Sequence, residues 1–326
     1  MIQHYFMRDA LLAAILALAT LTAAAQSFPS RPVRLIVPNP PGGVTDILAR
    51  TFGQRLSELW RQQVIVENRP GAANIIGAVA VAKSPADGYT LLIASDSTFV
   101  INPHLYSKLA YDALNDFTPV ILLCQLSAVI AVNASLPITG VRELIEHARA
   151  KPGSLSYGSM GSGTYAHISM EHFKQLAGVN IVHVPYKGSA PAMTDLLAGQ
   201  ISLMLVNLSV VEPYAKTGKL RILAAATPKR LTLRPDLPTV TEAALPGWDT
   251  SAWFGMVGPA NMPRDVVSKI HGDVTRIIGM SDFREQNLTK LGLEPVDLTP
   301  EQFARVIKSD LERWGKLVRA TGAKAD

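Results

Sequence analysis

Short apolar segments alternate along this chain with longer stretches in which apolar residues recur every three or four positions. The first kind of segment predicts a buried strand, and the second predicts an amphipathic helix. Regular alternation of strand and helix is typical of lobes in which helices cover a parallel sheet. The first part of the chain is predicted to have strands at 33–37, 64–67 and 90–94 and helices at 45–60 and 74–83.

The pattern changes at residues 117–132, which form one long extended apolar stretch. Average strands have only about five or six residues, so this stretch is about twice the usual length. It therefore predicts a strand that begins in one lobe and ends in another. Beyond it the alternation resumes, with predicted helices at 141–150, 165–176, 190–198 and 211–217 and strands at 155–157, 181–184, 201–206 and 221–226.

The last part of the chain begins with a proline-rich irregular segment at 227–247. The apolar strand predicted at 253–257 follows it, and the rest is predicted to be helical. Thr299 and Gln302 have the spacing of a capping box at the start of the last helix, which we expect to pack on the first lobe. The predicted helices are 264–278, 283–291 and 300–319.

These patterns predict an α/β protein with two lobes. The chain of 326 residues is long enough for two hydrophobic cores. We expect the chain to cross between the lobes twice, near Leu126 and near Ser251, with a ligand cleft between the lobes. The expected divisions are a signal peptide at 1–25, a first lobe at 26–126 and 251–326, and a second lobe at 127–250.

The first residues have the pattern of a secretion signal. Residues 11–21 are almost all Leu, Ala and Ile, and small residues stand at 23–25, as a signal peptidase requires. We expect cleavage after Ala25 and a periplasmic location. Arg8 is offset by Asp9, so a retained N-terminal anchor is the alternative, although the apolar run is shorter than the roughly 20 residues of a membrane span.

Charge and composition argue against nucleic-acid binding and against an internal disulfide. The formal net charge is +5, aromatic residues are 6% of the chain, and no run of Lys and Arg is interleaved with aromatics, which argues against nucleic-acid binding. Cys124 is the single cysteine, so no internal disulfide can form. Its apolar neighbours predict a buried thiol.

Three Gly- and Ser-rich loops each follow a predicted strand and precede a predicted helix. They lie at 39–43, 158–164 and 186–190. Such a loop directs backbone N–H groups and the positive end of a helix dipole towards one point, which favours an anion. One loop alone would more simply be a tight turn. Three at the carboxyl ends of strands predict a carboxylate site between the lobes.

The second of these loops also raises the possibility of an enzyme. Ser159 and Ser162 lie in the sequence GSMGSG, but neither has Gly at both flanking positions of a nucleophile elbow. Gly161, Gly163 and Ala166 match the Gly-x-Gly-x-x-Ala pattern of dinucleotide sites. The acidic ribose partner expected about 20 residues later is missing. A serine hydrolase and a nicotinamide enzyme are therefore both disfavoured.

Metal and nucleotide chemistry are disfavoured by the same reasoning. His167, Glu171 and His172 lie close together on one predicted helix, but their spacing is not that of a zinc protease and no Cys or third His motif supports them. The chain also lacks the Gly-x-x-x-x-Gly-Lys-[Ser/Thr] loop of nucleotide hydrolases. We expect a binding protein with no metal, no cofactor and no catalytic residue.

Several long motifs, in order and with matching spacing, resemble one known family. They are FPSRPVRLIVPNPPGGVTDILAR, VENRPGAANIIGAVAVAKSPADGYTLL, NPHLYSKLAYDALNDFTPV, YGSMGSGTYAHI, VPYKGSAPAMTDLLAGQI and GKLRILAAAT. The chain resembles, from Pro29 to about Thr321, the periplasmic substrate-binding proteins of tripartite tricarboxylate transporters, also called Bug receptors.

The resemblance implies a two-lobed periplasmic-binding-protein fold of the Venus-flytrap type, with two strands crossing between the lobes. It also implies a small organic acid as ligand and delivery to a two-component membrane permease. We expect the protein to be a monomer. A receptor that presents its ligand to a sensor protein would use the same pocket and stays an alternative. Dicarboxylates, tricarboxylates, acidic amino acids and aromatic acids all remain possible ligands.

The resemblance further implies which residues contact the ligand. Ser97 and Thr98 would donate from their hydroxyls, and the loop from Ser159 to Thr164 would hold the distal carboxylate. Lys187 could equally be a solvated loop charge, and Asp46 more simply complements a helix dipole than binds ligand. The implied ligand contacts are Pro41, Gly42, Gly43, Ser97, Thr98, Ser159, Gly161, Ser162, Gly163, Thr164, His167, Tyr186, Lys187 and Gly188.

One position departs from the family pattern. Many relatives have an acidic residue where this chain has Val206. We therefore expect the neighbouring Asn207 to help read the ligand, and side-chain preferences of acidic-type relatives do not transfer to this protein.

Overall fold

The computed structural model of the protein describes residues 28–248 and 250–322. The expected signal peptide and its cleavage site after Ala25 lie outside these residues. Within the two described ranges, no helix is both long enough and apolar enough to cross a membrane.

Short buried strands form the centre of the protein. Most of their positions are apolar and buried, as expected when helices cover both faces of a sheet. In chain order the strands are β1 (Val33–Val37), β2 (Val64–Asn68), β3 (Thr90–Ser95), β4 (Phe117–Leu126), β5 (Ala128–Asn133), β6 (Ser156–Ser159), β7 (Val182–Pro185), β8 (Leu203–Asn207), β9 (Leu220–Ala225), β10 (Trp253–Pro259) and β11 (Leu293–Pro295).

Helices connect most of these strands. A π-turn (Ser97–Ile101) and 3₁₀ turns at Ala72–Asn74 and Thr289–Leu291 supplement them. In chain order the α-helices are α1 (Val44–Trp60), α2 (Ile75–Ala82), α3 (Asn102–Leu105), α4 (Val141–Ala150), α5 (Tyr165–Ala177), α6 (Ser189–Leu197), α7 (Leu208–Lys216), α8 (Val240–Ala243), α9 (Arg264–Ile278), α10 (Ser281–Asn287) and α11 (Pro300–Thr321).

The strands form two sheets, one in each lobe. The first sheet has the order β11-β4-β10-β3-β1-β2, and the second has the order β7-β6-β8-β5-β9. The chain passes from the first sheet to the second between β4 and β5, with only Ser127 between them. It returns before β10. The long apolar stretch at 117–132 is thus divided between the two sheets, and a two-lobed α/β fold is confirmed.

Both sheets are mixed rather than wholly parallel. In the first sheet β1 pairs in parallel with β2 and β3, whereas β10 is antiparallel to β3 and β4. In the second sheet β6 pairs in parallel with β7 and β8, whereas β5 is antiparallel to β8 and β9. The parallel strands of a sheet therefore have their carboxyl ends on the same side of that sheet. The loop that precedes α1 begins there in the first sheet, and the loops that precede α5 and α6 begin there in the second.

The hydrophobic core continues across the two lobes on one face. Apolar side chains of the first sheet, such as Ile36 and Leu122, belong to the same buried cluster as Ile130 and Tyr157 of the second. A separate cluster lies between the other face of the first sheet and helices α1 and α9. Cys124 is buried in this second cluster, as predicted, and burial raises the pKa of its thiol.

The C-terminal helix α11 begins as the sequence predicts. Thr299 Oγ1 accepts from the N–H of Gln302 at 3.3 Å, and Gln302 Oε1 accepts from the N–H of Thr299 at 2.8 Å. The expectation that α11 packs on the first lobe is incomplete, because it also packs on α5 of the second. The ring centroids of Tyr165 and Trp314 are 5.9 Å apart, and Gln175 Nε2 donates to the carbonyl of Ala320 at 3.1 Å.

Some element boundaries differ from the prediction. Helix α7 begins at Leu208, three residues before the predicted 211, because Asn207 caps it by accepting from the N–H of Ser209 at 2.9 Å. The predicted helix 283–291 is divided into α10 and a 3₁₀ turn. The proline-rich segment contains the short helix α8, which starts with a capping box between Thr239 and Glu242.

Candidate functional site

Two loops of the second lobe lie side by side. Strands β6 and β7 are parallel neighbours, so the loops that follow them leave the same edge of the sheet. The N–H of Tyr186 donates to the carbonyl of Ser159 at 2.9 Å. A Cβ at Gly161 would lie 3.7 Å from the carbonyl oxygen of Tyr186. The fold therefore brings the loop from Met160 to Thr164 next to the loop from Tyr186 to Gly188.

Glycine is required in the first of these loops. Gly161 has a φ of 127° and Gly163 a φ of 79°, both in the range that favours glycine. The turn they form leads directly into helix α5, whose N-cap is Thr164. The backbone conformation of this loop therefore accounts for Gly161 and Gly163, whether or not the loop binds a ligand.

The hydroxyl groups of this loop support the loop itself. Thr164 Oγ1 donates to the carbonyl of Gly161 at 2.7 Å. Ser159 is fully buried, and its Oγ lies 3.2 Å from the N–H and 3.1 Å from the carbonyl oxygen of Gly161. Ser162 is exposed. Of the three hydroxyl-bearing residues among the predicted ligand contacts of this loop, Ser162 is therefore the exposed one.

A histidine occupies one backbone donor of the loop. The N–H of Gly163 donates to Nδ1 of His167 at 3.0 Å, which places His167 in contact with the loop. The N–H groups of Tyr165 and Ala166, in the first turn of α5, have no acceptor inside the helix. The backbone N–H of His167 is in the same position, because the first bond of the helix runs from the N–H of Ile168 to the carbonyl of Thr164. The first-turn donors of this helix start are therefore the N–H groups of Tyr165, Ala166 and His167, beside the exposed Ser162.

The second loop combines an open helix start with an occupied hydroxyl. Gly188 is the N-cap of α6, and a Cβ there would meet no atom within 4 Å. The hydroxyl of Tyr186 donates to Asp195 Oδ2 at 2.7 Å. Burial and the neighbouring Asp195 raise the pKa of Tyr186 to about 12. Lys187 is exposed at the tip of the loop.

The first-lobe loop is organised by a buried carboxylate. Asp46 accepts from the N–H of Gly42 at 2.9 Å, from Arg50 Nε at 3.0 Å and from Asn68 Nδ2 at 2.9 Å. Burial acts to raise the pKa of Asp46, but these hydrogen bonds and the charge of Arg50 outweigh it and lower the pKa to about 2. Asp46 is thus a structural residue of the helix start, and the N–H of Gly42 already has an acceptor.

The rest of this loop faces open space. Pro41 and Gly42 are exposed, and a Cβ at Gly42 or Gly43 would meet no atom within 4 Å. Helix α1 starts at Val44, one residue before the predicted Thr45, and Gly43 is its N-cap residue. Because Gly43 has no side chain, no side-chain hydrogen bond caps this helix start. The N–H groups of the first turn of α1 are its remaining donors.

The three helix starts differ in charge. Helix α1 carries Asp46 in its first turn, whereas the first turns of α5 and α6 have no acidic residue. A carboxylate in the first turn offsets the positive end of the helix dipole. The second lobe therefore presents the stronger attraction for an anion.

The loop after β3 is the second first-lobe element of the predicted site. Ser97 donates to Asp96 Oδ1 from its N–H at 2.7 Å. Thr98 is fully buried, and its Oγ1 accepts from Asn74 Nδ2 at 3.4 Å. The hydroxyl of Tyr111 donates to the carbonyl of Thr98. Ser97 is half-buried and Thr98 is enclosed by its neighbours.

Two asparagines that the sequence analysis did not select join these first-lobe loops. Asn39 Nδ2 donates to Asn74 Oδ1 at 2.8 Å, and Asn74 contacts Thr98. Asn39 Oδ1 is buried with no hydrogen-bond partner among the described residues. Asn74 has a φ of 79°, a left-handed conformation that Asn tolerates better than most residues. The sequence contained one indication of this turn, namely an Asn that directly follows Gly71, Ala72 and Ala73.

Asn207 lies at the junction of the lobes. Its Nδ2 donates to the carbonyl of Leu291 in the first lobe at 2.9 Å, while its Oδ1 accepts from Ser209. Both polar atoms of its side chain therefore have protein partners in this conformation. The neighbouring Val206 is buried in a cluster of apolar side chains of the second lobe.

The two lobes meet beside the second-lobe loop. A Cβ at Gly163 would lie 3.0 Å from Leu105 Cδ1, in helix α3 of the first lobe. The ring of Tyr165, the first residue of α5, lies 5.9 Å from the ring of Trp314 in helix α11, measured between ring centroids. The start of α5 is thus both a candidate anion site of the second lobe and a contact with the first.

Comparison with known proteins agrees with this arrangement. The family model of the tripartite tricarboxylate transporter family receptor matches residues 48–323. Protein BugT of Bordetella pertussis is 35% identical over 301 residues, which cover 92% of this chain and 92% of that protein.

Two solved structures are similar over most of their length. Rpa4515 of R. palustris with adipate has a TM-score of 0.79 and 38% identity, covering 91% of this chain and 99% of that chain. MatC from Rhodopseudomonas palustris with bound malate has a TM-score of 0.74 and 30% identity, covering 89% and 100% respectively. The family is one of receptors and not of enzymes, and the chain belongs to the tripartite tricarboxylate transporter receptor family.

Proposed function

We propose that this protein is a periplasmic receptor that holds a small dicarboxylate between its two lobes and delivers it to a two-component membrane permease. The division into a first lobe at 26–126 and 251–326 and a second lobe at 127–250 is part of this proposal. In this proposal the receptor has no catalytic activity and releases its ligand chemically unchanged.

The observation that carries the proposal is the set of helix starts around one edge of each sheet. Helices α5 and α6 have no acidic residue in their first turns, and glycines open the approach to both. Backbone N–H groups at a helix start bind a carboxylate without any charged side chain. One end of the ligand would thus be held by Ser162 and the first N–H groups of α5.

The opposite end of the ligand belongs to the first lobe in this proposal. The exposed loop of Pro41, Gly42 and Gly43 and the half-buried Ser97 supply its contacts. Asp46 and Arg50 form an ion pair at 3.0 Å, so the carboxylate of Asp46 is balanced and repels an incoming anion less. A ligand with two carboxylates gains its full set of contacts only when both lobes meet it, which favours closure.

The class of ligand is supported by the solved relatives. Adipate and malate, bound to proteins that are 38% and 30% identical to this one, are both dicarboxylates. The remaining residues of the proposed site, among them Gly161, Thr164, His167, Tyr186, Lys187 and Gly188, shape the second-lobe loops that would receive one carboxylate.

A thermal-shift screen of the protein beginning at Gln26 tests the proposal. Adipate, malate and other carboxylic acids are compared with adipamide, a neutral molecule with the same carbon chain as adipate. A dicarboxylate at about 100 times its dissociation constant stabilises by about 2.7 kcal/mol, and adipamide does not. Mass spectrometry should return the stabilising acid unchanged. Stabilisation by neutral compounds alone, or conversion of the acid, would reject the proposal.

A further inference from the structure

Three aromatic rings are stacked beneath the second-lobe loop. His183 of β7 lies between Tyr157 of β6 and His167 of α5. The ring centroids of Tyr157 and His183 are 4.8 Å apart at an interplanar angle of 20°, and those of His183 and His167 are 4.2 Å apart at 19°. We call these three residues the histidine stack. Each of its members comes from a different element of the lobe.

Both histidines of the stack hold the loop. His183 Nε2 lies 2.7 Å from Ser159 Oγ, which in turn contacts both the N–H and the carbonyl of Gly161. His167 Nδ1 accepts from the N–H of Gly163 at 3.0 Å. One histidine thus supports the first glycine of the turn, and the other supports the second.

The contact with Gly163 fixes the protonation state of His167. A backbone N–H can only donate, so Nδ1 of His167 must be unprotonated. If Nδ1 gains a proton, two N–H groups face each other and the hydrogen bond is lost. A charge on His167 would also lie close to His183, whose ring is stacked on it.

The groups around the stack do not favour a charged imidazole. Glu171 is the nearest carboxylate on α5, and it accepts from Tyr157 at 2.7 Å and from Lys174 at 2.7 and 2.9 Å. The charge of Glu171 acts to raise the pKa of both histidines, but Lys174 acts against it and burial outweighs it. Burial lowers the pKa of His167, and burial together with His167 lowers the pKa of His183 to about 4.

We propose that His167 and His183 are positioning residues for the carboxylate loop, and that protonation of His167 releases Gly163 and weakens ligand binding. This inference rests on the proposed function, because it assigns the loop to carboxylate binding. It deepens that function by making the loop competent for binding only while the histidine stack is neutral. Neither histidine needs to touch the ligand for this role.

The test compares substitutions that keep only the hydrogen-bond acceptor of a histidine with substitutions that keep only its aromatic ring. In His167→Asn the side-chain oxygen can replace Nδ1 as acceptor but does not titrate, and in His167→Phe the ring remains and the acceptor is lost. His183→Gln and His183→Phe form the corresponding pair for the contact with Ser159. His147→Asn, on α4 of the same lobe, is the control, because His147 is not part of the stack.

Calorimetric titration with adipate at pH 7.5 and pH 5.0 provides the first measurement. At pH 7.5 we expect His167→Phe to bind about threefold to tenfold more weakly than His167→Asn, the range for one lost hydrogen bond. The affinity of the parent should fall about twofold to fivefold more than that of His167→Asn on going to pH 5.0. Titration of adipate itself is common to all variants and cancels in this comparison. The control should follow the parent at both pH values.

Hydrogen exchange of the N–H of Gly163 in the ligand-free protein provides a second measurement. Exchange should be faster in His167→Phe than in the parent at pH 7.5. At pH 5.0 all intrinsic rates are lower, so the comparison is made on the protection factor, which is the intrinsic rate divided by the observed rate. The protection factor of Gly163 should fall between pH 7.5 and pH 5.0 in the parent and in the His147→Asn control, but not in His167→Asn. If adipate fails to bind even the parent, the proposed function fails for adipate, while exchange still decides the role of the stack. Equal exchange at Gly163 in the parent, His167→Asn and His167→Phe would overturn the inference.

Discussion

Gly163 of the second lobe faces Leu105 of the first, and a Cβ on Gly163 would approach Leu105 Cδ1 to 3.0 Å. The contact joins the turn before α5 to the end of α3. Because Gly163 also has a φ of 79°, two separate constraints act on this position. One is the conformation of the backbone, and the other is the space between the lobes.

Gly163→Val separates these constraints when it is compared with Gly178→Val. Gly178 ends the same helix with a φ of 63°, but a Cβ there meets no atom within 4 Å. Both substitutions should lower the free energy of unfolding by about 1–2 kcal/mol through the left-handed backbone. Only Gly163→Val should also oppose closure, by about 1–3 kcal/mol, which is roughly a 5- to 150-fold loss of affinity. Equal affinities for adipate in calorimetry would contradict this expectation.

Asp46→Asn tests the buried carboxylate at the start of α1. The substitution weakens the hydrogen bonds from Gly42, Arg50 and Asn68, so the free energy of unfolding at pH 7 should fall by about 1–3 kcal/mol. The folded pKa of Asp46, about 2, lies below the ordinary value near 3.9. Its contribution is therefore present above about pH 4 and is lost as the pH falls towards 2.

Chemical denaturation at several pH values checks this expectation. The difference between parent and Asp46→Asn should shrink between pH 4 and pH 2. Asp265→Asn is the matched control, because Asp265 occupies the first turn of α9 and is exposed. Its effect should be about 0.3–1 kcal/mol, as for an exposed charge at a helix start. A pH-independent difference for Asp46→Asn would show that its carboxylate is not the stabilising group.

Asn207→Ala removes a helix cap and a hydrogen bond between the lobes at once. Loss of the contacts with Ser209 and Leu291 should lower the free energy of unfolding by about 1–3 kcal/mol. Asn207→Asp keeps an acceptor for the cap and loses the donor to Leu291, so its stability should be intermediate. Thermal melts of the three proteins measure this order. A stable Asn207→Ala protein with weak adipate binding would instead support direct contact with the ligand.

The apolar segment at 11–21 and the small residues after it predict an exported protein. Intact-mass measurement of the protein recovered from the periplasm should give a chain that begins at Gln26, since small residues occupy positions 23–25. A membrane-bound product that keeps residues 1–25 would support the anchor alternative.

Local patterns predicted much of the fold because they depend on few neighbours. Helix α1 was predicted from apolar spacing to within one residue, and the capping box of α11 was identified from Thr299 and Gln302. The π-turn Ser97–Ile101 was missed, since its apolar run reads equally as strand or helix. Strand β11 has three residues and exists through its pairing with β4, a tertiary contact that no local pattern contains.

In the candidate site, too, locally determined features were predicted and most tertiary contacts were not. Its glycine loops were found because positive φ and helix starts impose a composition on the chain. The use of their donors was not predictable, since it depends on partners that the fold supplies. Ser159, for example, is held by His183 from the next strand. The role of Asn207 likewise depends on Leu291, which is far away in sequence. The N–H of Gly163 is an exception, because its acceptor His167 is only four residues further along the chain, in the first turn of α5.

Helix α11 limits how the two lobes can move. It is attached to the first lobe, where Trp253 Nε1 donates to Asp310 Oδ2 at 2.8 Å, and it also packs on α5 through Tyr165 and Trp314. Two crossing strands alone would leave one lobe free to rotate about the other. With α11 present, such a rotation must slide α5 along the helix or separate the two, and sliding between packed helices is small. Contacts of the C-terminal helix with both lobes therefore oppose the rotation that separates the lobes. Substitutions in α11 that weaken these contacts should change the rates at which ligand enters and leaves the cleft.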